Sequence, residues 1–351
     1  MREKLRCAVI GAGGIGLDHL NSLASFPRAV VVAIAESNAH RATEAAHRFK
    51  IDRTYADYRE LLEQPDIDAV TIALPNYLHA PVAIEALKAR KHVLLEKPMA
   101  TSAKEAGKIL DAANKMKRTL MVAQNFRFNR HTQIARMSLE SGVLGEIYHA
   151  RCFWLRRSGI PRIGSWFTQK RYAGGGCTCD LGVHMLDACL HLLNEFDVQT
   201  VSAQTHIKLG PRGLGELNWG KSEVDSKRPF DVEDYSLALL RLKSGRSVSL
   251  EVSWAAFHRV DSREHGIDLL GTQAGLSLFP AQLSRNGASG YESTLLNEAK
   301  VPYSEDRVHH FVSCVLDGKP SLVPAGESLK VQQILDAIYA SAQTGREVTL
   351  K

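Results

Sequence analysis

The sequence predicts a parallel α/β domain followed by an α+β domain. From residue 5 to about residue 125, short apolar runs alternate with longer helical segments, a pattern typical of βαβ units and a parallel sheet. Beyond residue 139 the strand-like runs lengthen and alternate apolar with polar residues. This alternating pattern predicts an open-faced, mostly antiparallel sheet with helices on one face. We therefore predict two domains, 1–126 and 127–351.

Hydrophobic periodicity predicts the individual elements. In the first domain the strands are predicted at 5–10, 30–36, 69–73, 92–96 and 119–123, with helices at 17–26, 80–89 and 102–117. In the second domain a helix is predicted at 129–139 and strands at 147–155, 200–207, 235–242 and 247–254. Residues 243–246 form a natural hairpin turn between the last two strands. The glycine-rich, charged segment 210–230 is predicted to be a long loop. The sequence does not decide whether this loop is a lid, an oligomer contact or simply mobile.

Composition narrows the class of protein. The 351 residues are enough for two domains, and 44% apolar with 23% charged residues is typical of a globular enzyme. The 44 basic and 38 acidic residues are dispersed, so we expect no nucleic-acid partner, although a basic cleft for an anionic ligand stays open. Six cysteines show no metal-type spacing and no disulfide framework, which predicts reduced thiols and no metal site. With no signal peptide and no membrane-length apolar run, we expect a cytoplasmic protein without membrane contact.

A glycine-rich turn follows the first predicted strand directly. It reads Gly11, Ala12, Gly13, Gly14, Ile15, Gly16. In such a turn Gly11 permits the tight bend, Gly13 lets the backbone approach a pyrophosphate, and Gly16 lets helix and strand pack closely. Glycine-rich turns also occur without a ligand. Here the flanking strand and helix, together with a carboxylate after the next strand, favour a dinucleotide site.

That carboxylate is Glu36, and it also predicts which nicotinamide cofactor binds. A carboxylate accepts hydrogen bonds from the free ribose hydroxyls of NAD and repels the 2′-phosphate of NADP. NAD is therefore predicted. Arg41, about one helical turn further on, is the open alternative, because it reaches a phosphate if Glu36 turns away.

A second candidate is the tripeptide Glu96-Lys97-Pro98 at the end of a predicted parallel strand. Ligands bind at the carboxyl edge of such sheets. Lys97 is expected to project into the crevice and to handle a proton there. Pro98 fixes the backbone, with a cis bond as one option. A plain surface lysine at a strand end is the alternative.

A third candidate follows the glycine run 174–176. Asp180, His184, Asp187 and His191 are spaced to share one face of a predicted helix. A histidine with a carboxylate one turn earlier suits a general base for an alcohol proton. Two alternatives stay open: Asp180 as a helix N-cap beside a half-buried His184, and a metal site, for which these residues offer only two ligands.

Together these residues resemble the Gfo/Idh/MocA oxidoreductase family, which includes inositol dehydrogenases and glucose-fructose oxidoreductase. The resemblance spans nearly the whole chain and rests on the glycine turn, 73–76 with His79, 96–98, 124–127, 174–187, 232–234 and 341–346. It implies a Rossmann domain, an open-faced second domain and an NAD cofactor. It also places Lys97, Asp180 and His184 at the family's catalytic positions.

The resemblance assigns further binding residues. It implies that Leu74, Pro75, Asn76 and His79 pass under the nicotinamide and ribose, with Glu96 and Lys97 nearby, and that Arg127 points toward the substrate. The alternatives are a packing role for His79 and an interdomain salt bridge for Arg127. Trp166 is expected to cover the apolar face of a sugar ring, although such aromatics more often pack in a core.

The expected reaction is NAD-dependent oxidation of a secondary hydroxyl in a cyclic polyol or sugar, of the inositol or aldopyranose type. His184 would accept the hydroxyl proton, Lys97 would stabilise the alkoxide, and Asp180 would orient the hydroxyl or the imidazole. Two alternatives remain: an NAD-retaining enzyme that cleaves glycosides or epimerises sugars, and a non-catalytic NAD-binding sensor. The resemblance also implies a homo-oligomer, dimer or tetramer, that pairs the exposed sheets.

Overall fold

A six-stranded parallel sheet organises the first part of the chain. The computed structural model describes residues 3–217, 222–258, 263–288, 290–302 and 305–350. The strands lie in the order β3-β2-β1-β4-β5-β6, the doubly wound order that reverses between β1 and β4. They are β1 Leu5–Ile10, β2 Ala29–Ala35, β3 Thr54–Tyr55, β4 Ala69–Ile72, β5 His92–Leu95 and β6 Leu120–Val122. The flanking helices are α1 Gly14–Ser25, α2 Ala39–Phe49, α3 Tyr58–Leu62, α4 His79–Lys88 and α5 Ala103–Met116.

Strand β1 shows why the strands of this sheet are continuous apolar runs in the sequence. Ala8 and Ile10 point into the core on one face, whereas Cys7 and Val9 point into the core on the other. Because helices cover both faces, every position of the strand must be apolar. The predicted parallel α/β class is confirmed.

Helix α9, Arg307–Asp317, departs from the predicted domain division. It follows the second sheet in sequence, yet Val308 and Phe311 belong to the same core as Leu20 of α1. An ion pair of 2.6 Å between Arg28 and Asp317 fixes the same contact. The division at 126 and 127 stays a prediction with one correction, because hydrophobic periodicity reveals that a helix buries one face but not against which sheet.

The second sheet has nine strands in the order β16-β15-β14-β13-β7-β12-β11-β9-β17. They are β7 Ile147–Leu155, β9 Val198–His206, β11 Tyr235–Leu242, β12 Ser247–Ser253, β13 His265–Gly271, β14 Gly275–Leu278, β15 Gln282–Gly287, β16 Gly290–Leu295 and β17 Val348–Thr349. All pairs are antiparallel except β12 with β7. The remaining helices are α6 Arg130–Glu140, α7 Lys170–Ala173, α8 Val183–Leu193 and α10 Ala325–Thr344.

Helices cover only one face of this second sheet. Along β11, Ala238 and Leu240 are buried in the core that α8 and α10 share, whereas Leu237 and Leu239 are 41% and 43% exposed. The predicted open-faced sheet is confirmed. In the described part of the chain, no helix combines the length and the apolar character needed to cross a membrane.

The predicted loop 210–230 makes ordered contacts along part of its length. It contributes β10, Glu216–Leu217, which pairs in parallel with β8, Ile160–Pro161. The Asp225 amide donates to the Gly164 carbonyl at 3.2 Å. Residues 218–221 of this loop lie outside the described residues. The loop is thus attached to the segment that leads into α7.

Candidate active site

The glycine turn between β1 and α1 is shaped by three different constraints. Gly11 has φ +94°, and a Cβ there would overlap the Ala73 carbonyl. A Cβ on Gly16 would overlap the carbonyl of Gly11, whereas a Cβ on Gly13 or Gly14 would meet no atom within 4 Å. Helix α1 therefore begins beside open space lined by backbone N–H groups, and this cradle fits the pyrophosphate of a dinucleotide.

Glu36 follows β2 and reaches back to this turn. Its carboxylate accepts hydrogen bonds from Ala12 N at 2.9 Å, Asn38 N at 2.9 Å and Arg41 Nη2 at 3.0 Å. Burial opposes the charge of Glu36, but the two backbone N–H groups and Arg41 outweigh it and lower its pKa. The carboxylate therefore stays anionic where the adenosine ribose of NAD would lie, and Arg41 is held against it.

Lys97 follows β5 at the carboxyl edge of the parallel sheet, and the Lys97–Pro98 bond is cis. Its Nζ donates to Oδ1 of Asp180 at 2.9 Å and to the Asp180 carbonyl at 3.0 Å. The other oxygen of that carboxylate accepts the indole N–H of Trp254 at 2.8 Å. Burial opposes ionisation of Asp180, but Lys97 and the indole outweigh it and lower its pKa. Asp180 is therefore an ion-pair partner, and the helix N-cap alternative is wrong.

Residues Thr178–Gly182 form a π-turn that leads into α8. Such turns occur frequently at functional sites, because the extra residue changes the direction of the side chains. The expected single face is therefore split: Asp180 meets Lys97, whereas Asp187 meets Arg127. The sequence could not reveal this shift, since the spacing rule assumes an uninterrupted α-helix.

His184 lies half-buried beside this ion pair. Its Nδ1 is buried and has no hydrogen-bond partner among the described residues, so no such bond joins the imidazole to Asp180. The expectation that Asp180 orients the imidazole is not met. Burial, and then the charge of Lys97, hold the pKa of His184 well below its usual value. The ring is neutral at pH 7, and Nε2 is the nitrogen left to meet a substrate.

Aromatic rings that the sequence analysis did not single out surround His184. The Phe126 ring lies 5.3 Å from the imidazole and the Trp154 ring 6.2 Å, both between centroids. Trp154 and His265 are directly opposite each other on β7 and β13, with their rings 5.0 Å apart. Alternation along β7 predicts that Trp154 lies on the helix-covered face. No feature of the sequence predicts that this end of the second sheet lies near Lys97.

His79 does not face the cleft as predicted. Its ring is 0% exposed, with Nδ1 2.7 Å from the Pro98 carbonyl and Nε2 2.9 Å from the Leu74 carbonyl. The ring ties the loop after β4 to the loop after β5. This is a correction: burial leaves His79 no surface for direct contact with a cofactor.

The Glu96 carboxylate also points inward. Oε1 accepts from His19 at 3.0 Å, and Oε2 accepts from the backbone N–H of Lys97 at 3.2 Å. Burial opposes this charge, but the hydrogen bond from His19 and nearby positive charges lower the pKa of Glu96 to about 2. Its predicted direct contact with the cofactor is corrected to support of the Lys97 backbone.

Arg127, which was predicted to point toward the substrate, is buried like His79 and Glu96. The guanidinium is 0% exposed and binds Asp187 twice, at 2.8 and 2.6 Å, and Glu327 at 2.5 Å. Because its donors are used inside the protein, a salt bridge replaces the predicted substrate contact. Both partners lie within residues 127–351, so the salt bridge is internal to the predicted second domain and is not the interdomain one. This ion pair anchors α8 close after His184.

Two other predicted residues, Asn76 and Trp166, have partners inside the protein. The Asn76 side chain donates to the Ala173 carbonyl at 2.8 Å, so it links the loop after β4 to α7. The Trp166 ring stacks on Phe167 with centroids 3.8 Å apart. Its contact with a sugar stays a prediction.

The described residues include no cluster of three or more histidine, cysteine or acidic side chains placed to hold a metal ion. The cysteines before α8 do not provide an activated thiolate either. Burial raises the pKa of Cys179 to about 12 and that of Cys177 well above its usual value.

Known proteins share both parts of this fold. Residues 5–124 match the family model described as an oxidoreductase family with an NAD-binding Rossmann fold, and residues 132–277 match the GFO/IDH/MocA C-terminal domain. The chain belongs to the Gfo/Idh/MocA oxidoreductase family. The resemblance seen in the sequence is confirmed.

Among its relatives, D-glucoside 3-dehydrogenase from Escherichia coli K12 is 31% identical over 353 residues, covering 99% of this chain and 97% of that protein. Levoglucosan dehydrogenase from Pseudarthrobacter phenanthrenivorans is 33% identical over 270 residues, covering 73% and 69%. A solved complex of levoglucosan dehydrogenase with NADH and L-sorbose superposes with a TM-score of 0.84 at 27% identity, covering 100% of both chains. This Gfo/Idh/MocA protein is an NAD-dependent oxidoreductase of the sugar or polyol type.

Proposed function

We propose that this Gfo/Idh/MocA protein oxidises a secondary hydroxyl of a hexopyranose or its glycoside to the ketone. One observation carries the proposal: the Lys97–Asp180 ion pair and the neutral His184 adjoin the carboxyl edge of the sheet that carries the glycine turn. Ligands bind at this edge where the strand order reverses. The two groups that an alcohol oxidation requires, a cation and a neutral base, are therefore side by side.

In this proposal the substrate hydroxyl lies between Lys97 and His184. Nε2 of His184 takes the hydroxyl proton while the ammonium of Lys97 stabilises the developing negative oxygen. Asp180 keeps Lys97 in place, and its Oδ1, 2.9 Å from Nζ, would orient the substrate hydroxyl. Bound NAD supplies the acceptor for the hydride that leaves the carbinol carbon. The alcohol loses one hydride and one proton and becomes a ketone.

The cofactor residues are also part of the proposal. Gly11, Gly13, Gly14, Ile15 and Gly16 would cradle the pyrophosphate, and Glu36 would accept the ribose hydroxyls. Ile15 is 50% exposed although apolar, as expected for a residue that a bound dinucleotide would cover. Leu74, Pro75, Asn76 and Lys97 would line the nicotinamide side.

The aromatic rings around His184 support a ring-shaped substrate. Phe126, Trp154 and His265 present apolar ring surface next to the base, and the C–H face of a pyranose packs on such surface. A whole-length relative is named for a D-glucoside. Inositols remain the second substrate type to be tested.

The decisive experiment measures NADH absorbance with a panel of methyl glycosides, free hexoses, levoglucosan and inositols. We expect NADH to accumulate with one group of pyranoses or pyranosides. Accumulation with inositols alone would contradict the sugar assignment. If the protein binds NAD but forms no NADH with any compound of the panel, the cofactor-retaining enzyme or the non-catalytic sensor would replace the proposed dehydrogenase.

We further propose that two or more copies pair through the uncovered face of the second sheet. Leu237, Leu239 and Leu270 are exposed apolar side chains on that face, consistent with a face that a second copy covers. Light scattering gives the mass in solution. A monomer at micromolar concentration would contradict this proposal.

A further inference from the structure

We propose that Trp254 is a positioning residue which, through Asp180, holds the ammonium group of Lys97 in the reactive cleft. The proposal rests on the proposed function, in which Lys97 meets the substrate oxygen. Trp254 is fully buried and therefore touches no substrate itself. It acts through the carboxylate that it shares with Lys97.

The two oxygens of Asp180 have different partners. Oδ1 accepts from Lys97 at 2.9 Å, and Oδ2 accepts from the Trp254 indole at 2.8 Å. An indole N–H is a donor only, so the bond has one direction and fixes the rotation of the carboxylate. Hydrogen bonds to a charged oxygen are stronger than neutral ones. Without the indole, the carboxylate is free to turn, and Lys97 keeps only the Asp180 carbonyl as a fixed partner.

The indole is itself anchored to the second sheet. Trp254 comes directly after β12, and its backbone N–H donates to the Asp234 carbonyl at 2.9 Å. The preceding residue, Ser253, bonds through its hydroxyl to the Arg156 carbonyl at 3.2 Å. Lys97, in contrast, belongs to the first sheet. The Asp180 carboxylate therefore bridges the two sheets, and Trp254 transmits the position of the second sheet to Lys97.

The charged groups around Asp180 give the contact a measurable signature. Lys97 and the Trp254 N–H both lower the pKa of Asp180, and His184 does so at longer range. Glu96 and Arg307 act in turn on His184. Removing only the indole N–H therefore raises the pKa of Asp180 and leaves the other groups in place.

The test replaces Trp254 with β-(3-benzothienyl)alanine, which keeps the ring shape and substitutes sulfur for N–H. We expect kcat to fall about tenfold, as for the loss of a hydrogen bond to a charged group, with little change in the KM for sugar. The acid limb of the kcat profile should move to higher pH. An unchanged kcat together with an unchanged profile would overturn the proposal.

Trp254→Phe serves as the second, genetically simple variant. Phe311→Leu is its control for lost packing, because Phe311 is equally buried but belongs to α9 and to the core of the first sheet. The control should lose stability and keep the pH profile. A shift of the same size in both variants would mean that Trp254 acts only through packing.

An NMR measurement separates this proposal from the proposed function. The indole ¹⁵N–¹H signal that disappears in Trp254→Phe belongs to Trp254, and it should shift in Asp180→Asn. Absence of that shift would overturn the positioning proposal even in a fully active enzyme. A protein that shows the shift but forms no NADH with any sugar would overturn only the proposed function.

Discussion

The glycine turn and the reactive cleft differ in how much of the chain each one needs. The turn occupies six consecutive residues, and its main constraints are steric contacts with the neighbouring strand ends. The cleft instead joins Lys97 to Asp180 across 83 positions and Asp180 to Trp254 across 74. A local motif can be read from its spacing, whereas a cluster assembled by two sheets depends on how they pack.

The largest expected effect concerns the cleft. Lys97→Met removes the cation beside the substrate oxygen, and we expect kcat/KM to fall about 10²- to 10³-fold. The measurement is NADH formation on the best sugar. Lys108→Met, at an exposed position of α5, is the matched control and should keep full activity. A loss smaller than tenfold in Lys97→Met would mean that another group stabilises the negative oxygen of the substrate.

His184→Asn tests the base in the same cleft. We expect a loss of about 10²-fold in kcat/KM, because proton acceptance is removed. In the wild type the lowered pKa of His184 keeps the ring neutral at pH 7, so oxidation should slow only as the pH falls well below 6.5. The variant should lose the acid limb that His184 causes and keep the one that Asp180 causes. A pH profile of kcat/KM identical to that of the wild type would mean that another group accepts the proton.

The glycine turn is tested by a pair of alanine variants. Gly16→Ala forces a methyl group onto the Gly11 carbonyl, so the free energy of unfolding should fall by about 1–3 kcal/mol. Gly13→Ala meets no neighbouring atom and should change stability by less than about 0.5 kcal/mol. It should nevertheless weaken NAD binding, because the methyl group enters the open cradle. Denaturant unfolding and NAD titration separate the two effects, and equal destabilisation would contradict the steric argument.

The smallest expected effect concerns the choice between NAD and NADP. Glu36→Ser removes the carboxylate that repels a 2′-phosphate and that Arg41 contacts at 3.0 Å. The ratio of kcat/KM for NADP to that for NAD should rise about tenfold, as expected for one hydrogen bond to a charged group. Glu44→Ser on the exposed side of α2 removes the same charge and should leave the ratio unchanged.

Much of the local structure followed from residue patterns. Strands β1, β7 and β11 begin and end at the predicted residues, because apolar runs and strict alternation both have a direct physical cause in burial. The position of Trp254 in the sequence does predict a hydrogen bond to an acceptor. A tryptophan at the end of a buried strand needs a partner for its N–H, and an acidic residue is a strong one.

The sequence patterns did not predict that three residues of the motifs, His79, Glu96 and Arg127, are buried. Each lies in a motif that points to the cleft, yet each side chain is buried and bonded inside the protein. A motif specifies the residue type that a position requires. It does not distinguish a residue that touches the ligand from one that supports the backbone beside it.

The sequence alone determined the two sheets, the glycine turn, the carboxylate that favours NAD and the residue types of the cleft. These features depend on periodicity, backbone freedom at glycine and charge, which act over a few residues. The tertiary structure decided that α9 returns to the first sheet, that a π-turn splits Asp180 from Asp187, and that Trp254 completes the Lys97–Asp180 pair. Those outcomes depend on close packing between elements far apart in the chain, which no local pattern encodes.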